Sequence, residues 1–369
     1  MKILLLDNSS LTPVNGDYCI DPKTGIFAKE LKDLDNMVTL YGQKVISENT
    51  THTYRLVENG LKVVGLNRKS NKLLNYLLLY IRIIPEIFKN DFVYIFYPSS
   101  YKFVALLCWL FQKNFGIYIR GQHDLNSKSS HMIYNKSTAV FTVTNEFTNF
   151  VNNVTGKENA FTIRPMIPFT EKDVCSDRSY NINGSFRILF LGRVLSDKGI
   201  FELLQALSKL KMKKYNFELT IVGDGGGMQD AKSIVQELGL EEKVSFIGAV
   251  DDMDKLTDFY KTSDVYILPT YHEGFPRTLY EAMIFGTPII TTFVGGISGL
   301  MKDGYNCKRI EPKSVDSIVV GLEFAFNNYD KMIQYAGNGQ KTVIKIIDSS
   351  RLTHAEHLNQ IIKSVHTKV

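Results

Sequence analysis

The chain has 369 residues, 44% of them apolar, and a formal net charge of +5 at pH 7. This length predicts two domains of ordinary size, and the apolar content is sufficient for a hydrophobic core in each. The whole charge excess lies in residues 1–180, with 21 basic against 16 acidic residues, while the rest of the chain has 22 of each. No DNA- or RNA-binding motif accompanies the basic half, and we therefore exclude nucleic acid as a partner.

The chain begins with an apolar segment, Ile3–Leu6, which we interpret as the middle of a first strand. It is shorter than the core of a signal peptide and no small-residue cleavage site follows it, so we predict a cytoplasmic protein. The four cysteines are scattered, with neither Cys-x-x-Cys spacing nor a matching histidine cluster, which predicts free thiols and no zinc site. Asp252 and Asp254 are predicted to cap a helix. No metal is expected.

Strands and amphipathic helices alternate along both halves of the chain, a pattern typical of parallel sheets covered by helices on both faces. The first Rossmann-like half is predicted to begin at Lys2 and to end near residues 161–165. A polar, turn-rich stretch at residues 176–184 is the best candidate for a linker. The predicted organisation is therefore a first domain of residues 1–178, a second of residues 179–348, and a terminal helix in residues 349–369.

Basic charge is concentrated in residues 61–120, which contain nine basic residues and only two acidic ones, Glu86 and Asp91. The same stretch contains two apolar runs, residues 73–84 and 103–111. Both are shorter than the ~20 residues needed to cross a bilayer, so no transmembrane helix is predicted. Two interpretations remain open: internal helices of the first domain with a solvated basic face, or a basic, aromatic-bearing surface that docks on anionic lipid at the inner face of the plasma membrane.

Three strand ends in the second half are followed by glycine. The strand at residues 187–191 leads into Gly192 and Arg193, and Lys198 and Gly199 then open an amphipathic helix. The strand at residues 219–222 ends in a turn at Gly223, and the strand at residues 244–247 ends at Gly248. Two cations beside a helix start would hold a diphosphate and stabilise charge that grows on it.

A further apolar strand, Val265–Pro269, is followed by Glu273 in a loop at its carboxyl end. Pro276 favours a first helical position, and a helix is predicted from about Pro276 to Phe285, with Glu281 on its second turn. The free N–H groups and the positive dipole end of this helix would face a ligand above the strand. A loop carboxylate, an anion-binding helix start and a second carboxylate suit a ligand made of a sugar, a diphosphate and a ribose.

Residues 186–310 resemble the family-four retaining glycosyltransferases. The signature of that family is Glu-Gly-Phe-x5-Glu-Ala-Met followed by Gly-x-Pro and Gly-Gly, and residues 273–296 match it in order. The resemblance implies the α/β fold called GT-B, in which two Rossmann-like domains have parallel sheets that face a central cleft. It also implies that the first domain holds the acceptor and the second a nucleotide-sugar donor, and that the terminal helix in residues 349–369 packs back on the first domain.

The resemblance assigns Arg193 and Lys198 to the diphosphate, Glu273 to the sugar hydroxyls and Glu281 to the ribose. In the first domain, relatives place a histidine after the strand that here is residues 116–119. Arg120 occupies that place by position and His123 by residue type, and both remain candidates. The full set of predicted donor-binding residues is Gly25, Gly192, Gly223, Gly248, Gly274, Phe275, Pro276, Thr278, Leu279 and Glu281.

Gly25 has the weakest motif of this set. It precedes a helical stretch at residues 26–31, where relatives have a Gly-Gly loop over the donor phosphate, but only one glycine is present. An ordinary turn at a helix start explains it equally well.

The sequence thus predicts a retaining transfer from a nucleotide-diphosphate sugar to a glycan or lipid-linked acceptor, in surface polysaccharide synthesis and without a cofactor. Retention by attack on the same face, the mechanism proposed for the family, needs no protein base if the departing phosphate takes the acceptor proton. Two alternatives remain: a non-catalytic homologue that acts as a partner subunit, and a nucleotide-sugar epimerase.

Overall fold

The computed structural model describes residues 1–45, 52–121, 124–180, 184–274 and 276–366. The chain forms two compact units, and the first of them takes its residues from both ends of the chain. The units are Met1–Ile167 with Ser350–Val369, and Pro168–Ser349.

The first unit contains a parallel sheet of seven strands and a small antiparallel sheet of three. Its strands are β1 (Lys2–Leu6), β2 (Thr12–Val14), β3 (Asp17–Ile20), β4 (Met37–Lys44), β5 (Tyr54–Arg55), β6 (Lys62–Asn67), β7 (Phe92–Tyr97), β8 (Asn114–Ile119), β9 (Ala139–Thr142) and β10 (Ala160–Thr162). Its first helices are α1 (Pro22–Asp33), α2 (Lys72–Lys89), α3 (Val104–Leu110), α4 (Lys128–Lys136) and α5 (Asn145–Thr155).

The parallel sheet has the order β10-β9-β8-β7-β1-β4-β6. The chain starts at β1 in the middle, adds β4 and β6 toward one edge, and then adds β7 to β10 toward the other. All six residues of β7 are buried, as expected for a central parallel strand covered on both faces. Buried side chains of α2 to α5 pack on one face of the sheet, and those of α1 pack on the other.

The second unit contains six parallel strands in the order β13-β12-β11-β14-β15-β16, which is the strand order of a Rossmann fold. The strands are β11 (Phe186–Leu191), β12 (Phe217–Val222), β13 (Val244–Gly248), β14 (Val265–Leu268), β15 (Ile289–Thr292) and β16 (Lys308–Ile310). The helices are α6 (Ile200–Met212), α7 (Met228–Glu237), α8 (Met253–Thr262), α9 (Arg277–Ile284), α10 (Val315–Asn327) and α11 (Tyr329–Ile347). As predicted, Asp252 caps α8, and its carboxylate accepts from the N–H groups of Asp254 and Lys255.

The unit boundary lies after Ile167, earlier than the predicted boundary after residue 178. Residues 168–178 belong to the second unit because their polar groups bond to the ends of its helices. The Arg178 guanidinium donates to the carbonyl oxygens of Tyr260 in the last turn of α8, of Ser263 directly after α8, and of Phe285 directly after α9. The Cys175 N–H donates to the Ile284 oxygen at 3.0 Å.

A terminal helix, α12 (His354–His366), completes the first unit by packing on α1. His354 is buried among aromatic rings, and its Nε2 lies 2.5 Å from the hydroxyl of Tyr94. Burial lowers the pKa of His354 to about 3. The imidazole is therefore neutral at ordinary pH, and the helix is held by apolar contacts and by buried hydrogen bonds, which include one from the side-chain amide of Asn36 to the side-chain oxygen of Asn359 at 3.0 Å.

Two helices begin at positions that differ from the predicted ones. The helix that contains Gly25 begins at Pro22, because the Asp21 carboxylate caps it and proline fits the first turn. Gly25 therefore lies within α1 and not in a loop before it. Helix α9 begins at Arg277, and Pro276 is its N-cap residue with an extended backbone. Among the described residues, no helix is long and apolar enough to span a membrane.

Candidate functional site

The site is expected where the winding of the second unit reverses direction, between β11 and β14. Ligands of doubly wound sheets bind outside the carboxyl ends of the strands at this point. The loop after β11 contains Arg193 and Lys198, and the loop after β14 contains Glu273. Both loops meet at this edge because adjacent parallel strands end on the same side.

Lys198 and Glu273 form an ion pair across the switch point. The ammonium group donates to Oε1 of Glu273, with side-chain exposures of 7% for the lysine and 21% for the glutamate. Further bonds join the same loops, since the carbonyl oxygen of Asp197 accepts from the Tyr271 N–H at 2.8 Å and from the Thr270 hydroxyl at 3.1 Å. The structure thus brings together the predicted cation and the predicted loop carboxylate.

Gly199 makes this approach possible. It has a φ of +70°, and a Cβ atom built on it would lie 2.1 Å from the carbonyl oxygen of Pro269. A side chain would therefore push the start of α6 away from the end of β14. The glycine after the lysine is required by backbone contact as well as by conformation.

Backbone hydrogen bonds also join the strand ends at Gly192, Gly223 and Gly248. The Gly192 N–H donates to Val222, and the Gly223 N–H donates to Gly248 at 2.8 Å. A Cβ atom on Gly223 would lie 1.9 Å from the Gly192 oxygen. The edge of the sheet is consequently lined by backbone at these three positions, as a site for a bulky anionic ligand requires.

Arg193 lies beside this backbone edge and is exposed. Within the described part of the chain, no hydrogen bond or ion pair of its guanidinium is found. An exposed Arg with five N–H donors is suited to phosphate oxygens. Lys198, in contrast, is already engaged by Glu273.

Glu281 occupies the second turn of α9 and accepts a hydrogen bond from the Tyr260 hydroxyl at 2.8 Å. Burial raises the pKa of its carboxyl group, and the hydrogen bond from Tyr260 and the charge of Arg277 oppose that increase. Tyr266 lies near both acids: burial first, and then the charges of Glu281 and Glu273, raise the pKa of its phenol. The charges of both carboxylates of the motif therefore act on one tyrosine.

Two of the predicted donor-binding residues also make contacts within the second unit. The Thr278 hydroxyl accepts from the Tyr266 hydroxyl at 2.6 Å. Leu279 is fully buried, and its N–H donates to the Pro276 oxygen at 3.1 Å. Pro276 is buried and Gly274 accepts from the Gly296 N–H, so both fix the loop to its neighbours. Phe275 lies outside the described residues.

The predicted residues of the first unit form a separate group. Arg120 follows β8 and pairs with the buried Asp7 carboxylate, which follows β1, at 3.2 Å. The same carboxylate accepts from the hydroxyl groups of Thr24 and Ser9. Gly25 is buried in α1, where a Cβ atom would lie 2.2 Å from the ring of Tyr54. His123 lies outside the described residues.

Sequence analysis missed Asp7, Tyr260 and Tyr266. Asp7 carries a usable signal, because it is a polar residue directly after a buried apolar strand. The two tyrosines have no such signal in the sequence, because a tyrosine inside an apolar strand or helix is indistinguishable from an ordinary core residue. Only the fold shows that their hydroxyl groups bond to residues of α9.

Residues 176–342 match the family model described as Glycosyl transferases group 1. The chain is 33% identical over 156 residues to an uncharacterized glycosyltransferase of Methanocaldococcus jannaschii, covering 42% of this chain and 40% of that protein. It is 30% identical over 166 residues to the capsular polysaccharide biosynthesis glycosyltransferase CapM of Staphylococcus aureus, covering 44% of this chain and 42% of CapM. The matches thus span about two fifths of these relatives.

Among solved structures, Anabaena HepE in complex with UDP matches 100% of both chains with a TM-score of 0.71 and 18% identity. At this identity the likeness concerns the fold. Together with the seven-stranded and six-stranded parallel sheets, it confirms the predicted α/β fold of the GT-B class.

Proposed function

We propose that the chain is a retaining glycosyltransferase that uses a nucleotide-diphosphate sugar, and the match of residues 176–342 to the glycosyl transferases group 1 supports this proposal. The observation that carries the proposal is the Lys198–Glu273 pair at the switch point of the second sheet. A cation suited to phosphate and a carboxylate suited to sugar hydroxyls lie at the edge where doubly wound folds bind nucleotides, which supports a nucleotide-sugar donor.

The donor is assigned to the described groups by their chemistry. Arg193 and Lys198 bind the diphosphate, Glu273 accepts hydrogen bonds from the sugar hydroxyls, and Glu281 accepts them from the ribose. HepE, which shares the fold, was solved with UDP and with UDP-glucose, which supports a donor of this class. Gly192, Gly223 and Gly248 leave the strand ends free of side chains, so a nucleotide can lie against backbone.

The proposed reaction proceeds on one face of the sugar. The bond between the anomeric carbon and the phosphate oxygen breaks, and a bond from the acceptor hydroxyl oxygen to the same carbon forms. The acceptor proton passes to the departing phosphate, so that no protein base is needed. The protein acts by positioning and by stabilising negative charge on the diphosphate with Arg193 and Lys198, without a metal or other cofactor.

The acceptor is proposed to be a glycan or a lipid-linked saccharide in surface polysaccharide synthesis, at the cytoplasmic side of the membrane. The similarity to CapM supports this choice. In the first unit, Arg120 and His123 are the proposed candidates for the position that contacts the transferred sugar.

Calorimetric titration with UDP-, GDP- and ADP-sugars tests the donor class, and NMR of the product tests the anomeric configuration. Binding followed by transfer with retention is expected, also in the presence of EDTA. Donor binding without transfer to any acceptor but with inversion of a sugar centre would indicate an epimerase. Absence of binding to every donor would indicate a non-catalytic subunit. Folded Arg193→Ala or Lys198→Ala variants with full turnover would show that the phosphate assignment is wrong.

A further inference from the structure

Helix α2 is apolar on two opposite sides. Its inner side packs in the core of the first unit through Leu79, Ile83 and Ile87. Its outer side exposes a second apolar stripe, with exposures of 84% for Leu73 and 58% for Leu77, and this stripe continues through Ile81 and Phe88. Residues spaced by four lie on one side of a helix, so the stripe runs along the whole of α2.

The neighbouring helix α3 widens this stripe. The ring of Phe88 lies 5.0 Å from that of Phe111, directly after α3. Trp109 and Leu110 of α3 are both exposed. We call the group formed by Leu73, Leu77, Ile81, Phe88 and Leu110 the α2 surface. Contiguous exposed apolar groups of this kind mark an interaction site rather than ordinary surface.

Basic side chains border the α2 surface. Arg82 and Lys89 lie on α2 itself, the Lys113 ammonium lies 5.8 Å from the centre of the Phe88 ring, and the Lys136 ammonium lies 4.8 Å from that of Trp109. Two acids lie between residues 61 and 120, and of these Asp91 is exposed. Glu86 is buried and pairs with Lys89 at 2.7 Å, and Asp91 accepts from the Lys2 N–H.

A cavity of about 130 Å³ lies beside the same helix. Its lining residues include two cations, Lys69 and Arg82, and three amide residues, Gln43, Asn67 and Asn75. Such a set of donors is suited to the oxygens of a phosphate group. Apolar and anion-binding features therefore occur side by side on α2.

We propose that the α2 surface docks on an anionic lipid bilayer. The helix lies in the plane of the interface, its outer stripe enters the boundary between headgroups and acyl chains, and the bordering cations contact lipid phosphates. The choice of lipid rests on charge complementarity, since cations lie along the length of the stripe and a bilayer surface is anionic throughout. This docking is separate from sugar transfer, and its test needs no nucleotide sugar.

The test is flotation of the full chain with vesicles of phosphatidylcholine alone or of phosphatidylcholine mixed with phosphatidylglycerol. Binding is expected only to the mixed vesicles and should weaken as salt is added. Arg82→Glu is expected to weaken binding about 30-fold, which corresponds to about 2 kcal/mol at roughly 1 kcal/mol for each unit of charge changed. Leu77→Glu is expected to weaken it at least about 10-fold, because it puts a charge into the stripe.

Val320→Glu is the matched control, since Val320 is 60% exposed on α10 of the second unit. It should leave vesicle binding unchanged, and all three variants should keep the thermal stability of the parent. Equal binding to neutral and anionic vesicles, or equal effects of Leu77→Glu and Val320→Glu, would overturn the proposal. So would absence of vesicle binding together with a self-association that Leu77→Glu abolishes, because the surface would then be an interface between two copies.

Discussion

The two units have the same winding but build the carboxyl edges of their sheets in different ways. In the second unit, loops are joined by backbone bonds at Gly192, Gly223 and Gly296, and Lys198 and Glu273 are both largely enclosed. In the first unit, one buried carboxylate, Asp7, gathers the neighbouring hydroxyl groups, and its partner Arg120 is exposed.

This difference explains why one edge could be identified from the sequence and the other could not. Loops that touch through backbone require glycine at fixed positions, and those glycines form a readable motif. A sheet edge that is organised by a single acid requires only one polar residue after each strand. Many unrelated sequences have such residues, so they form no recognisable motif.

Removal of the enclosed cation of the second unit is expected to have the largest effect. Lys198→Ala should reduce kcat/KM by a factor of roughly 30 to 1000, by analogy with the loss of one oxyanion donor at about 2–4 kcal/mol. Steady-state kinetics with the preferred donor measures this. Lys209→Ala is the control, because Lys209 pairs with Asp316 at 2.6 Å on the exposed surface of the same unit. Equal activity of the two variants would contradict a role of Lys198 at the diphosphate.

The next largest effect is expected where a new side chain would collide with backbone in the second unit, and it concerns the free energy of unfolding. Gly223→Ala combines a positive φ with a Cβ atom 1.9 Å from the Gly192 oxygen, and we expect a loss of about 3 kcal/mol in the free energy of unfolding. Gly156→Ala in the first unit is matched in having a positive φ, but its Cβ atom would meet nothing within 4 Å. It should cost only about 1 kcal/mol. Similar urea midpoints for the two variants would show that the Gly223 contact can relax.

Acidification should change the contributions of His354 in the first unit and Glu281 in the second unit to stability in opposite directions. The pKa of His354 is lowered from 6.5 to about 3 in the folded first unit, so its stabilising contribution is present above pH 6.5 and is lost as the pH falls. Between pH 6.5 and 5 the loss is about 2 kcal/mol. Glu281 of the second unit has a raised pKa, so its protonation favours the folded state as the pH falls.

Trp109, the only tryptophan of the chain, reports on the first unit during urea unfolding, while circular dichroism reports on both. The tryptophan transition should move to lower urea at pH 5, and His354→Leu should remove most of that movement. Glu281→Gln should leave the tryptophan transition where it is in the parent. A pH dependence of this transition that is unchanged in His354→Leu would refute the assignment to His354.

Local patterns predicted those parts of the fold that depend on neighbouring residues. The strand at Val265–Leu268 and the amphipathic helix after Gly199 follow from apolar periodicity, and the structure has both. Helix α1 begins earlier than predicted because the Asp21 carboxylate caps it, and Gly25 consequently lies inside the helix and not in a loop. The roles of Thr278 and Leu279 depend on Tyr266 and on the packing of α9, which are tertiary contacts. No periodicity in the sequence reports them.

The smallest effect is expected at the carboxyl edge of the sheet in the first unit, where side-chain contacts of Asp7 join the loops. Asp7→Asn keeps the size of the side chain but removes the charge opposite Arg120, and because Arg120 is solvated we expect a loss of about 1 kcal/mol in the free energy of unfolding. Asp33→Asn, at an exposed pair with Lys29 in the same unit, should change it by less than about 0.5 kcal/mol. Urea unfolding of the two variants compares them directly. If Asp7→Asn and Asp33→Asn lowered the free energy of unfolding equally little, the pair of Asp7 and Arg120 would be an ordinary surface ion pair. Side-chain contacts would then not organise the sheet edge of the first unit, whereas backbone contacts organise that of the second.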